Sequence, residues 1–211
     1  MLARFSWLAV LCTAAFAASP SHADTLPVPT VEYSADRVVV SEAGTFDGKV
    51  YFTKDKERLE TTMQGMQSVM ILRRDQQLGW MLMPAQRMYQ KLDLARAQQQ
   101  SGSQSADTVA IEQVGAESVE GHDATKYKML MKDGSGGGFI WITQDGIPVK
   151  MDFLAKNGRE KTRMTVTLTN LTIGAQDPAL FEPPADYKAM PSFGGFGKGV
   201  FGSVKGGLFN R

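Results

Sequence analysis

Methionine is the residue type whose number and spacing ask for a chemical explanation. Beyond Met1 there are eleven, including the close pairs Met63/Met66, Met81/Met83 and Met129/Met131. A thioether is a soft ligand that suits Cu(I). It is also flexible, polarizable packing material, used in irregular cores and on surfaces that accept variable apolar partners. Met-based copper sites usually add histidine or cysteine, or display methionine in polar loops, whereas most of these methionines fall inside strand-like segments. Residues two apart on a strand share a face, so Met81/Met83 and Met129/Met131 each form a short stripe. The residues alone leave three readings open: a filled core, a cavity for an apolar ligand, and a Cu(I) binder.

Other chemistry is sparse. Outside the first 23 residues the chain has one histidine, His122, in the turn "EGHDAT", where a solvated turn residue is the simpler account than a triad member. There is no G-x-S-x-G elbow, S-x-x-K pair, H-E-x-x-H helix or P-loop. Asp123, Asp133, Asp145 and Asp152 fall in turns or on wet faces, where solubility accounts for them. "DGSGGG" at 133–138 joins two strands and does not open a helix, so it is read as a hairpin and not a phosphate cradle. No catalytic residue, cofactor or metal ligand is assigned, and a non-enzymatic role is expected.

The compartment narrows the choice further. Arg4 is followed by an apolar run to about Ala18 and then by small residues, the pattern of a cleavable secretory signal ending at Ala23. Cys12, the one cysteine, follows Leu11, where lipid attachment needs a small residue, and it leaves with the signal. Loss of Arg4 makes the balance 22 Lys+Arg against 22 Asp+Glu. A neutral chain without cysteine has no disulfide to staple it and no basic surface for nucleic acid. A periplasmic protein with an ordinary core is expected.

The elements that must position these residues are strands. Residues 24–34 form a linker, and 35–187 one domain of eleven short segments rich in β-branched and aromatic residues: Arg37–Ser41, Gly48–Thr53, Glu57–Met63, Ser68–Arg74, Leu78–Met83, Arg87–Leu92, Val109–Val119, Ala124–Lys132, Gly138–Thr143, Pro148–Ala155 and Lys161–Ile173. Turn signals such as "MQGMQ", "RDQQ" and "VEGHD" separate them, too closely for crossover helices, so antiparallel hairpins are expected. In "TKYKMLMKD", Tyr127, Met129 and Met131 alternate with lysines, Leu130 excepted. Met151 and Phe153 alternate with Lys150 and Asp152 in "PVKMDFLA", and Met164 and Val166 with Arg163, Thr165 and Thr167 in "TRMTVTLTN". This period of two means a sheet wet on one side and covered on the other. Asp93 can cap a short helix in "DLARAQQQSG", Asp177 and Pro178 can start another at "DPALF", and "DLARAQQQSGSQSAD" is a candidate lid. The tail 188–211, with four basic residues and four phenylalanines among its glycines, is read as a loose terminus, with weak membrane-surface contact as the functional alternative.

The order of "GKVYFTKDKERLETTM", "VMILRRDQQLGWMLMPAQRMYQKL", "VEGHDATKYKMLMKDGSGGGFIWITQDGIPVKMDF" and "NLTIGAQDPALFEPPADYKAM" resembles the DUF4412 family of exported bacterial proteins, itself similar in layout to the periplasmic lipoprotein-carrier (LolA-like) group. The most specific pieces are Gly121, Ala124 and Tyr127, the "WIT" strand followed by "GIPVK", and "LFEPPADY". The resemblance implies a mainly β protein: an antiparallel incomplete, half-open β-barrel with one or two short helices covering its concave apolar face. In the lipoprotein carriers that face receives acyl chains. The chain lacks the long N-terminal helix of those carriers. A carrier or binder of a lipid or lipoprotein acyl chain follows as the expectation, its cavity lined by Met81, Met83 and Trp141 together with Tyr127, Met129, Met131, Met151, Phe153, Met164 and Val166. The alternative is an envelope protein-interaction or assembly module with a filled core, and after it a Met-based Cu(I) binder.

Overall fold

The computed structural model describes residues 25–96, 108–158 and 160–190. The expected leader, the lid segment beyond Arg96 and the tail beyond Met190 lie outside the described residues. Twelve strands form one sheet: β1 (Tyr33–Ser41), β2 (Gly44–Thr53), β3 (Lys56–Met63), β4 (Met66–Arg73), β5 (Leu78–Met83), β6 (Met88–Asp93), β7 (Val109–Val119), β8 (His122–Met131), β9 (Gly136–Thr143), β10 (Pro148–Asn157), β11 (Glu160–Ile173) and β12 (Lys188–Ala189). All eleven strands expected from the sequence are present. Their order is β12-β6-β5-β4-β3-β2-β1-β11-β10-β9-β8-β7, two meanders joined where β1 pairs with β11, and the sheet does not close.

Turn chemistry sets this register. Gln64-Gly65 and Glu120-Gly121 both have positive φ at two consecutive residues, the geometry that matches the twist of flanking strands in a two-residue hairpin. The β4–β5 and β5–β6 links instead use one 3-10 turn each, Arg74–Gln76 and Pro84–Gln86, closed by Gln77 and Arg87 in the left-handed region. β12 is a departure from an all-antiparallel sheet: it pairs in parallel with β6, because the chain returns to that edge after a long excursion from β11.

The sheet is rolled. β6 and β7 lie ten strand spacings apart, about 48 Å in a flat sheet, and β6 ends at the opposite end of the sheet from where β7 begins. The twelve steps from Arg96 to Thr108 reach about 43 Å at full extension, so a flat sheet would put the two ends beyond reach. Asp93 Oδ1 accepts a hydrogen bond from the Arg96 amide (2.9 Å), the expected cap of the short helix at 94–96. Gly79 makes room for the residue that follows β6: a Cβ there would lie 3.3 Å from the Leu72 side chain and 3.5 Å from that of Leu94. Leu94 therefore enters over the face that carries Leu72. On that same face Val39 and Val166 of the middle strands are buried while Val40 on the other is 47% exposed, which makes it the inside of the roll.

Three packed regions hold the sheet. One gathers Tyr33, Ala35, Val50, Trp141, Val149 and Leu168 at the middle strands. On the Leu72 face of β8–β10, Tyr127, Met129, Ile140 and Phe153 are buried against one another, with Leu26 of the N-terminal segment packed over them. On the opposite face of β4 and β5, Val69, Ile71, Trp80 and Leu82 are buried under Phe181. The expected turn at 177–181 is present, with Asp177 capping the Ala179 amide at 2.9 Å. It covers the side of the sheet away from Leu94, not the same concave face. The chain from Asp177 to Ala189 is a strap: the Arg58 guanidinium donates to the Leu180 carbonyl (3.0 Å), Arg73 bridges Asp75 and Glu182, and the Met190 amide donates to the Tyr89 carbonyl (2.8 Å). Burying Phe181 contributes about 3 kcal/mol.

Candidate functional site

Register assigns every described strand methionine to a face, because directly paired residues project to the same side. Met63 pairs Met66, Met70 pairs Met81 and Met83 pairs Met88. Met70 also pairs Leu59, which pairs Val50, which pairs Ala35, carrying this face across to β1. Ser41 pairs Met164 and Met151 pairs Val166 on β11. Met151 also pairs Ile140, and Ile140 pairs Tyr127, the neighbour two along from Met129 and four from Met131. All ten methionines of the strands therefore lie on one face, the side toward which the sheet rolls.

The two ends of that face differ. On β8 Met129 is 1% exposed, with Met131 and Met151 half-buried around it. On β4–β6, Met70, Met81, Met83 and Met88 are half-buried, with Leu72 and Leu92 beside them, while Met63 and Met66 stand at the rim and Met66 is 69% exposed. The structure therefore brings nine of the ten expected cavity residues onto one face: Met81, Met83, Tyr127, Met129, Met131, Met151, Phe153, Met164 and Val166.

Trp141 is the one that register sets apart. It pairs Lys126 on β8 and Lys150 on β10, on the other face, and is itself buried (6% exposed) in a cluster with Tyr33, Ala35, Val50 and Leu168. The Lys126 and Lys150 ammonium groups sit 4.8 and 5.0 Å from its ring centre, and its Nε1 donates to Glu117 Oε2 at 2.7 Å. Glu117 also accepts from Lys126 Nζ (2.8 Å); these hydrogen bonds, that from Lys126 foremost, hold its carboxyl below the usual range. The strand "GGGFIWIT" offered no polar alternation from which to read the parity of Trp141. Conversely, Met63, Met66, Met70 and Met88 were missed. Their shared face was visible only through pairing, since the run "VMIL" on β4 is apolar on both sides.

The remaining polar groups serve the fold. On the polar face Arg163 makes a two-point pair with Asp152 (2.8 and 2.5 Å), and its hydrogen bonds hold the Asp152 carboxyl below the ordinary range. Two open depressions occur among the described residues. One of about 260 Å³ is bordered by Glu32, Asp55, Lys56 and Asp75, and one of about 500 Å³ by Asp36, Asp47, Lys49 and Glu60, with Arg37 and Gly48 also in its wall. Both are walled largely by charged residues. The glycine-rich run is structural: a Cβ at Gly138 would lie 2.0 Å from the Asp152 carbonyl oxygen, so Gly136–Gly138 continue β9 under Phe153. Gly146 of "GIPVK" has φ +82°, and a Cβ there would lie 2.0 Å from the Val28 carbonyl oxygen.

An open, rolled β-sheet with one methionine-lined face defines the architectural class. The chain belongs to the family described as a domain of unknown function (DUF4412), whose model matches residues 38–145, just over half its length. No curated protein matches it. Among solved structures it is similar to an uncharacterized conserved protein from Thermus thermophilus (TM-score 0.53, 12% identity, 76% of this chain and 90% of that one). It is also similar to the MucA/MucB complex of Pseudomonas aeruginosa (TM-score 0.51, 18% identity), where it covers 75% of its own length and 57% of that chain, little more than half. A looser match is a candidate outer membrane lipoprotein-sorting protein domain from Vibrio parahaemolyticus (TM-score 0.34, 11% identity, 71% of this chain and 89% of that one). At these identities the likeness is one of fold.

Proposed function

We propose that this protein is an exported, non-enzymatic binder of an apolar ligand, a lipid or the acyl part of a lipoprotein, held on the methionine face of β3–β6. The observation that carries the reading is the segregation of all ten strand methionines to one face. A filled one-sided core would also gather apolar residues on its covered face, but it favours side chains with defined rotamers. A surface that accepts chains of varying shape favours thioethers. Burial supplies the affinity: each methylene removed from water contributes about 0.8 kcal/mol, so about a dozen contacts outweigh the ordering costs. The leader read in the sequence supports the periplasm as the place of binding.

Native mass spectrometry of the mature protein tests this reading. Co-purified lipid, or uptake of the neutral fluorophore N-phenyl-1-naphthylamine, is the expected result. A protein that retains and takes up nothing apolar sinks the reading and favours an assembly module. A stoichiometric copper adduct would favour the facing pairs Met70/Met81 and Met83/Met88 as Cu(I) ligands instead.

A further inference from the structure

Arg37 breaks the methionine face. On β1 it pairs Gly48 of β2 on one side and Leu168 of β11 on the other, so its side chain projects to the same side as the methionines. Gly48 is itself paired with Thr61, and Thr61 with Ser68. The row Arg37, Gly48, Thr61, Ser68 is thus a shallow polar trough, with Met63 and Met66 at the rim above it and Met70 below it. Arg37 is half-buried, and among the described residues no side chain hydrogen-bonds or ion-pairs with its guanidinium. Its one charged influence is the through-space field of Glu57, whose carboxylate is committed to Arg74 at 2.5 Å. Burial pushes the Arg37 pKa down, although the group stays charged at neutral pH.

A guanidinium has five donors in a planar fork and cannot escape its charge by deprotonation. Placing it on an apolar face is costly unless its donors are served. In the free protein water serves them; a ligand covering the trough must replace that water with oxygen acceptors. One cation, with Glu57 nearby, matches a single negative charge better than a dianion. We propose that the ligand is a long-chain carboxylate, with its chain along the methionines of β4–β6 and its carboxylate on Arg37. This inference rests on the apolar-ligand reading and names the class of molecule.

The test compares laurate with methyl laurate and dodecyl phosphate on the mature protein, each read by displacement of N-phenyl-1-naphthylamine. A charge-assisted pair at a half-buried site predicts that laurate binds about tenfold tighter than its methyl ester. Arg37→Leu should bring that ratio close to one, and Arg37→Lys, which keeps the charge and loses the fork, should give an intermediate ratio. Thermal melting of each variant reports its fold, and the wild-type ratio stands without any variant. Equal binding of laurate and methyl laurate overturns the carboxylate proposal and leaves apolar binding intact. Dodecyl phosphate binding tighter than laurate overturns it in favour of a phosphate head. Displacement by none of the three overturns both readings.

Discussion

On β8–β10 the methionine face closes around a packed centre: Met129, Ile140 and Phe153 are buried, with Met131 and Met151 half-buried beside them, and the polar face carries ion pairs such as Arg163–Asp152. On β4–β6 the arrangement is reversed, because the C-terminal strap packs Phe181 onto Val69, Ile71, Trp80 and Leu82 of the other face and leaves Met70, Met81, Met83 and Met88 half-covered. One sheet therefore has a half that owes its stability to the methionine face and a half that does not. A half stabilised from behind can hold its front surface open without losing its fold. That division of labour is what a binding surface requires.

The largest test of this contrast removes the rear support. Phe181→Ala takes a fully buried ring from under β4 and β5 and should cost about 3–5 kcal/mol, read in denaturant melts. A loss below about 1 kcal/mol would mean that the strap is not the support. The next sharpens the contrast within one residue type: Met129→Ala should cost about 2–5 kcal/mol, whereas Met83→Ala should cost under about 1 kcal/mol and weaken uptake of N-phenyl-1-naphthylamine. Equal stability losses at the two positions would erase the difference between the halves.

The smallest effect is with pH, and it falls on both halves. Hydrogen bonds from Arg73 hold Asp75 below the usual carboxylate range, and those from Arg163 do the same for Asp152. A depressed folded-state pKa contributes stability that is present above the unfolded value near about 4 and is lost as pH falls through the folded value. The melting temperature should therefore hold steady from neutrality to about pH 5 and decline below about pH 4. Asp152→Asn should flatten part of that decline, and an undiminished slope in that variant would remove this pair from the account.

Much of the fold was legible because local chemistry set it. Gln64-Gly65 and Glu120-Gly121 specify hairpins, and β8, β10 and β11 alternate apolar with polar residues, so their buried faces could be read directly. Legibility ended where both faces of a strand are apolar. β4 has Val69 and Ile71 behind and Met70 and Leu72 in front, and β9 has Ile140 and Ile142 in front and Phe139 and Trp141 behind, so neither pattern marks a side. That is why neither the register of Trp141 nor that of Met70 could be read from the sequence. β12 and the side covered by Phe181 depend on where a long return lands, which no two-residue pattern encodes.

The central claim is that the β4–β6 end of the methionine face receives an apolar guest while the β8 end stays shut. Methyl-labelled methionine NMR during titration with methyl laurate reads this directly, since every strand methionine is a reporter on that face. The account predicts that the Met70, Met81, Met83 and Met88 resonances shift with ligand while that of Met129 stays in place. Uniform shifts across all ten, or none at saturating ligand, would contradict it.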